Sequence, residues 1–113
     1  MSKYRAKPAT LDGIRFDSKA EMRRYQQLSL IEKAGEISDL KIHPRFELQP
    51  AFVDRNGNKQ RAIVYEADFS YFDKALGHTI IEDVKGYEGN RAWQLKYKMF
   101  LFSYRSYDLR VIK

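Results

Sequence analysis

Apolar side chains at helical spacing define the first element that the sequence predicts. The stripe consists of Tyr25, Leu28, Ile31 and Ala34. Residues three and four apart share one face of an α-helix, so this stripe predicts a helix that buries one side. Ser18 and Glu21 fit a capping box at its start, and Gly35 fits a C-terminal stop. The pattern therefore predicts a helix over residues 18–34.

Polar and apolar side chains alternate after this helix, which is the period of a half-buried β-strand. Residues 40–49 show the alternation despite Pro44, which favours an edge strand or a bulge. The turn dipeptide Asn56-Gly57 predicts a hairpin between the segment before it and residues 61–72. A further strand is predicted over residues 78–85, where apolar side chains point to both faces.

A second helix is predicted over residues 91–104, followed by a strand over residues 108–112. The apolar positions of this helix are Trp93, Tyr97, Phe100, Leu101 and Tyr104. They cover more than one stripe, which suits either a buried helix or a dimer interface. The element order α-β-β-β-α-β predicts an α/β domain of the α+β type, with a central mixed four-stranded sheet flanked by helices. Because the last strand follows a helix, we expect it to lie parallel to its neighbour.

Composition predicts one globular domain, since 43% of the 113 residues are hydrophobic. The chain contains no cysteine, so a disulfide framework is excluded. We expect the domain to span residues 17–113, after a basic N-terminal arm over residues 1–16. No apolar run approaches the ~20 residues that cross a bilayer, and the start of the chain lacks a secretory apolar region, so we expect a cytoplasmic protein. A net charge of +6 favours a polyanionic partner such as nucleic acid.

Two acidic residues and one lysine suggest chemistry. Asp83 and Lys85 are two residues apart, so they project from the same face of a strand, and Asp68 can come alongside if the two segments pair as a hairpin. Carboxylates are hard oxygen ligands of the kind that Mg²⁺ prefers. A lysine beside the ion can orient or deprotonate an attacking water and offset phosphate charge. The pattern predicts metal-dependent hydrolysis of phosphodiesters.

Other acids compete for these roles. Glu82 points away from Lys85 if the strand is regular, whereas a β-bulge would make Glu82 the ligand instead of Asp83. Glu21 belongs to the capping box, yet it also lies on the inward stripe of the first helix and could complete a metal site. The two histidines, His43 and His78, lack metal-ligand spacing, so we interpret both as structural or close to DNA.

The order of these residues resembles the PD-(D/E)xK nuclease superfamily. The resemblance rests on Glu21 in a first helix, Asp68 in a strand, and the triplet Asp83-Val84-Lys85 followed by a glycine and a basic helix. It is closest to the small phage and prophage endonucleases of that group, which are similar in layout to junction-resolving enzymes, and it covers nearly the whole chain. The chain departs from the commonest pattern because Ala67 precedes Asp68, where a proline is usual, and because the second acid is Asp rather than Glu.

The resemblance implies a restriction-endonuclease-like core and a metal-dependent endodeoxyribonuclease that hydrolyses phosphodiester bonds. It implies that Asp68 and Asp83 bind Mg²⁺ or Mn²⁺, that Lys85 assists the attacking water, and that Glu21 is an accessory acid and metal ligand. We then expect a homodimer that acts on branched, Holliday-junction-like phage DNA or on duplex DNA in the cytosol of the bacterial host. The alternative is a non-catalytic basic DNA-binding module of a phage replication or recombination complex. The basic residues expected to contact DNA are Lys3, Arg5, Lys7, Arg91, Lys96 and Lys98.

Overall fold

In a computed structural model, which describes residues 8–84 and 89–113, the chain folds into short strands and two long helices. The elements are β1 (Ala9–Leu11), β2 (Ile14–Phe16), α1 (Lys19–Lys33), β3 (Ile37–Ile42), β4 (Arg45–Gln49), β5 (Phe52–Val53), β6 (Lys59–Gln60), β7 (Ile63–Glu66), β8 (Phe69–Asp73), β9 (His78–Val84), α2 (Arg91–Ser103) and β10 (Asp108–Ile112).

The central sheet has four strands in the order β10-β9-β8-β3. β10 runs parallel to β9, and the other neighbours are antiparallel. The predicted mixed four-stranded sheet and the parallel last strand are therefore confirmed. Because β3 and β9 both run antiparallel to β8, Ile42, Phe69 and Glu82 lie side by side at one end of the sheet.

Helix α1 covers one face of this sheet, as its apolar stripe predicts. Ser18 caps the helix, and its Oγ accepts a hydrogen bond of 3.1 Å from the backbone N–H of Glu21. Leu28 is fully buried against the sheet, and burial of such a side chain stabilises the fold by about 1.5–3 kcal/mol. The surrounding cluster contains Phe16, Ile37, Phe69, Tyr71 and Ile80. The predicted helix over residues 18–34 is confirmed to within one residue at each end.

Helix α2 packs on the other face. Its first turn is capped by Asn90, whose Oδ1 accepts from the backbone N–H of Trp93 at 3.0 Å. Phe100 is fully buried there and meets the ring of Phe46 edge-on, with centroids 4.9 Å apart. The predicted second helix is confirmed, and the sheet is covered on both faces where β9 passes through it.

The N-terminal boundary differs from the prediction that residues 1–16 form an arm. β1 and β2 form an antiparallel hairpin, in which Gly13 adopts a left-handed φ of +76° at the turn. Phe16 is fully buried and packs on Tyr25, with ring centroids 5.1 Å apart. The domain therefore includes residues 9–16, because their apolar side chains complete the cluster beneath α1. Lys3, Arg5 and Lys7 lie outside the described residues.

Two predicted strands are each interrupted. The strand predicted over residues 40–49 divides at His43-Pro44 into β3 and β4, where His43 has a φ of +54°. The strand predicted over residues 61–72 divides at Ala67-Asp68 into β7 and β8. This break reverses the alternation, so Tyr65 packs beneath α2 whereas Phe69 packs beneath α1, although residues four apart in an unbroken strand would share one face.

The strands on the outer side of these breaks form a separate two-stranded ribbon. β4 pairs with β7 and β5 pairs with β6, both antiparallel. The Asn56-Gly57 dipeptide lies in the turn at the end of the ribbon, where Gly57 has a φ of +84°. The predicted hairpin is confirmed up to β7, but it is a ribbon apart from the central sheet rather than part of it.

Candidate functional site

Acidic residues gather where β3, β8 and β9 meet at one end of the sheet. The backbone N–H of His43 donates to the carbonyl of Asp68 at 2.9 Å, and the backbone N–H of Asp68 donates to the carbonyl of Glu82 at 3.0 Å. These hydrogen bonds hold the ends of the three strands together where the backbone leaves the sheet. Candidate ligands from different parts of the sequence are thereby brought within a short distance.

Asp68 lies in the bend between β7 and β8. One of its carboxylate oxygens, Oδ2, accepts a hydrogen bond of 2.6 Å from the backbone N–H of Val84. Val84 is the middle residue of the acid-x-lysine triplet, so the hairpin pairing of the two segments brings Asp68 alongside the triplet, as predicted. Lys85 itself lies outside the described residues.

Asp83 is buried beneath α2, with only 1% of its surface exposed. Its Oδ2 accepts hydrogen bonds from the hydroxyl of Tyr65 and, at 2.9 Å, from Nε1 of Trp93. Burial, followed by the negative charge of Asp83, raises the pKa of Tyr65 well above its usual value. The phenol therefore stays neutral and keeps donating to the carboxylate at any physiological pH.

Glu82 points to the opposite face, because β9 is regular across these two residues. Its carboxylate receives two hydrogen bonds from Arg24, at 2.7 Å from Nε and 2.6 Å from Nη2, and a third from the hydroxyl of Tyr71. The hydrogen bond to Glu82 is the main reason why the pKa of Arg24 is raised. Glu82 thus forms a buried ion pair beneath α1, away from the face that carries Asp83.

Glu21 makes a contact that the sequence did not predict. Its carboxylate, 3% exposed, lies 2.7 Å from Nε2 of His43. Burial raises the pKa of Glu21, and the neighbouring His43 partly opposes that effect. Within the described ranges, ligand atoms of Asp17, Glu21 and His43 all lie within 4.8 Å of one another and could hold a metal ion. Glu21 therefore joins a cluster with Asp17 and His43, and its expected role beside Asp68 and Asp83 stays a prediction.

Asp17 and His43 are the candidate site residues that sequence reasoning missed. His43 lies 22 residues from Glu21 and comes close only because β3 ends beside the first turn of α1. The second histidine, His78, begins β9 at the other end of the sheet and lies 3.2 Å from Asp108. The interpretation of the two histidines as structural therefore fits His78. For His43 it is incomplete, because His43 also belongs to the cluster with Asp17 and Glu21.

The basic residues expected to contact DNA are only partly described. Arg91 and Lys98 are exposed on α2, and Lys96 is half-buried there. No helix within residues 8–84 and 89–113 has the length and apolar character that a membrane span requires.

Chemically, the end of the sheet offers carboxylates held by neutral donors beside a cluster of two carboxylates and one imidazole. Such donor sets suit divalent cations: carboxylate oxygen suits Mg²⁺ and Mn²⁺, and imidazole extends the range to softer metals. Neither the comparison with curated proteins nor that with solved structures returned a significant match. A family model described as "Protein of unknown function (DUF1064)" matches residues 1–113, and the chain therefore belongs to the DUF1064 family.

Proposed function

We propose that this protein is a divalent-metal-dependent DNA endonuclease with a restriction-endonuclease-like core. The observation that carries the proposal is the 2.6 Å hydrogen bond from the backbone of Val84 to the carboxylate of Asp68. It ties one proposed metal ligand to the strand segment that carries the other, Asp83, and that leads into Lys85. Two carboxylates and one ammonium from two segments then serve a single phosphodiester.

The surroundings of Asp83 support its role as a metal ligand. Tyr65 and Trp93 donate hydrogen bonds to it as neutral groups, so they orient the carboxylate. Glu82, the competing acid, is paired with the guanidinium of Arg24 on the other face of β9. We therefore propose Asp83 rather than Glu82 as the second ligand.

The cluster of Asp17, Glu21 and His43 supports a second set of metal ligands. Its atoms lie within 4.8 Å of one another, and His43 is bonded through its backbone to the carbonyl of Asp68. A buried carboxylate such as Glu21 loses its hydration, and a divalent cation would compensate for that loss. The imidazole favours Mn²⁺ over Mg²⁺ at this position, since Mg²⁺ prefers ligands made entirely of oxygen.

Each group has a role in hydrolysis under this proposal. A bound divalent cation would polarise the phosphoryl oxygen and lower the pKa of water. Asp68 and Asp83 hold that cation, Tyr65 and Trp93 keep Asp83 in position, and Lys85 orients the attacking water and offsets phosphate charge. Glu21 and His43, with Asp17, would hold the second cation.

A substrate panel tests the proposal. Labelled four-way junction, fork, nicked duplex, linear duplex, single-stranded DNA and RNA are incubated with the protein in Mg²⁺, Mn²⁺, Ca²⁺ or EDTA. We expect cleavage of branched DNA in Mg²⁺ or Mn²⁺ and none in EDTA. Ca²⁺ should support binding without efficient turnover, because its coordination is looser.

Variants at the site give the sharper test. Asp68→Asn and Asp83→Asn should each lower the single-turnover rate by at least ~100-fold while the protein stays folded, because metal catalysis supplies several kcal/mol of charge stabilisation. Lys85→Ala should lose most of kcat. Glu66→Gln is the matched control, since Glu66 is exposed on β7 two residues before Asp68. If the protein shows salt-sensitive DNA binding without metal-dependent cleavage, the hypothesis of a non-catalytic DNA-binding module would replace that of an enzyme.

The proposed homodimer is supported by α2. Leu95, Leu101 and Phe102 are exposed on this helix, although it also buries Phe100. A second copy of the chain would cover that apolar surface. Light scattering of wild type and of a Leu95→Glu, Phe102→Glu variant tests this: the wild type should have twice the mass of the monomer, and the variant the mass of one chain.

A further inference from the structure

The outer end of the two-stranded ribbon contributes nothing to either hydrophobic cluster. Residues 50–61, the distal ribbon, are exposed throughout except for Asp54, and they contain β5, β6 and the turn between them. Phe52 and Val53 are 47% and 62% exposed. An isolated two-stranded hairpin is marginally stable in water, so a ribbon of this kind needs either local support or a partner.

Local support comes from the side chain of Asp54. Its Oδ1 accepts from the backbone N–H groups of Asn56 and Asn58 at 2.9 and 3.0 Å, and its Oδ2 accepts from Nε2 of Gln60 at 2.9 Å. The backbone of Asp54 also donates to the carbonyl of Asn58 at 2.8 Å. The turn is therefore held in one shape before any partner binds, which lowers the entropy cost of binding.

The charge of the distal ribbon indicates the chemistry of that partner. Arg55, Lys59 and Arg61 outnumber the single acid, Asp54, within residues 50–61. Across the described part of the chain, none of these three cations forms an ion pair, whereas the cation at the base of the ribbon, Arg45, is paired with Glu66 at 3.2 Å. Cations that the fold leaves unpaired on a preformed exposed turn fit the phosphates of a nucleic acid.

The base of the ribbon adjoins the acidic end of the sheet. The backbone N–H of Ala67, after β7, donates to the carbonyl of Pro44, before β4, at 3.0 Å, and these residues flank Asp68 and His43. From Arg45 to Asn56 the ribbon can reach at most roughly 36 Å at ~3.3 Å per residue. That reach is about one turn of duplex DNA, about 34–36 Å, and a two-stranded ribbon fits a major groove about 12 Å wide.

We propose that the distal ribbon binds a duplex arm of the DNA substrate, with Arg55, Lys59 and Arg61 contacting its phosphates up to one helical turn away from the acidic end of the sheet. The identity of the substrate rests on the proposed function, but the contact itself needs no cleavage. The ribbon would anchor one arm of a branched substrate while the phosphodiester at the junction lies beside Asp68 and Asp83. Phe52 and Val53 would contact the groove or the sugar edges.

Binding of a labelled four-way junction and of a 20-bp duplex, measured by fluorescence anisotropy in Ca²⁺ between 50 and 300 mM salt, tests the proposal. The ribbon variant is Arg55→Ala with Lys59→Ala. The control is Lys33→Ala with Lys74→Ala, which removes two exposed charges from the end of α1 and from the turn between β8 and β9. Both variants have the same net charge, so they differ only in where charge is lost.

Loss of two phosphate contacts should lower the log–log salt slope by about 1.8, which corresponds to binding about 60-fold weaker at 0.1 M salt if the affinity at 1 M is unchanged. The control should bind within about threefold of wild type. Equal affinities of the ribbon and control variants for DNA would overturn the proposal. It would also be overturned if the substitutions in the ribbon variant dissociated a dimer of the protein into monomers.

Cleavage in Mg²⁺, measured in parallel, separates this proposal from the proposed function. If the wild type binds through the ribbon but cuts no substrate, the proposed ribbon contact stands and the proposed nuclease activity is rejected. If the ribbon variant binds and cuts DNA like the control variant, the proposed nuclease activity stands and the proposed ribbon contact is rejected. Circular dichroism should report the same fold for both variants, since the residues changed are exposed.

Discussion

The buried ion pair between Arg24 and Glu82 allows the sharpest test of how the fold is held together. Glu82 is 1% exposed and accepts two hydrogen bonds from Arg24 and one from Tyr71. Arg24 keeps 24% of its side chain exposed, so it can turn toward water when its partner is removed. Glu82 cannot. We therefore expect Arg24→Met to be more destabilising than Glu82→Met.

The magnitude follows from this asymmetry. Breaking a buried pair by removal of one partner costs about 3–5 kcal/mol, since a charge stays buried without compensation. Arg24→Met should fall in that range and lower Tm by roughly 12–20 °C for a chain of this length. Glu82→Met and the double variant should each cost about 1–3 kcal/mol, chiefly because the buried hydroxyl of Tyr71 loses its acceptor. Since the double variant should cost about as much as Glu82→Met alone, the coupling energy equals the cost of Arg24→Met, about 3–5 kcal/mol.

Urea unfolding of the wild type, both single variants and the double variant measures the coupling as a double-mutant cycle. The pair of Arg45 and Glu66, with atoms 3.2 Å apart, is the matched control, because both side chains are largely exposed. Its cycle should show a coupling too small to resolve. A coupling below about 1 kcal/mol for Arg24 and Glu82 would refute the buried ion pair.

The same double variant bears on the proposed active site. If Glu82 serves only the fold, the protein with Arg24→Met and Glu82→Met should cut DNA within about threefold of wild type at a temperature where it is folded. If cleavage instead disappears in the double variant and survives in Asp83→Asn, Glu82 is the metal ligand.

Three further outcomes can be measured on the isolated protein. Tyr65→Phe should cost about 1–3 kcal/mol in urea unfolding, because buried Asp83 loses a donor. Ser18→Ala should cost about 1 kcal/mol by the same method, because α1 loses its N-cap. Hydrogen bonding to Arg110 lowers the pKa of Asp108 below its usual 3.8, so the stability that Asp108 contributes is present above pH 3.8 and lost as pH falls through the lowered value. The stability difference between wild type and Asp108→Asn should therefore shrink in urea unfolding below pH 3.8, and a constant difference would contradict this.

The sequence predicts the elements whose signals are local. The stripe and cap of α1, the Asn-Gly turn and the parallel last strand all follow from spacing or from short motifs. The hairpin of residues 9–16 is missed because two three-residue strands are too short to show alternation. Pro44 indicates an irregularity within residues 40–49 but not the division into two strands of different sheets. The break at Asp68 is missed because a run of alternating residues carries no signal for a change of face.

The candidate site divides in the same way. Asp68 beside the triplet follows from hairpin pairing, and the opposite faces of Glu82 and Asp83 follow from a regular strand. The partners of these acids depend on tertiary packing instead. Arg24 reaches Glu82 across 58 residues of sequence, and no spacing rule relates the two.

Consecutive buried carboxylates in one strand need separate explanations, because burial of an isolated charge is costly. On one face of β9, a guanidinium neutralises Glu82 through two short hydrogen bonds, and the pair helps to attach α1 to the sheet. On the other face, neutral donors from Tyr65 and Trp93 position the carboxylate of Asp83. A carboxylate that neutral donors fix in position, next to a second carboxylate hydrogen-bonded to the backbone of the adjacent Val84, is an arrangement suited to a cation. The difference between the two faces is therefore the physical reason to propose metal binding by Asp83 and a structural role for Glu82.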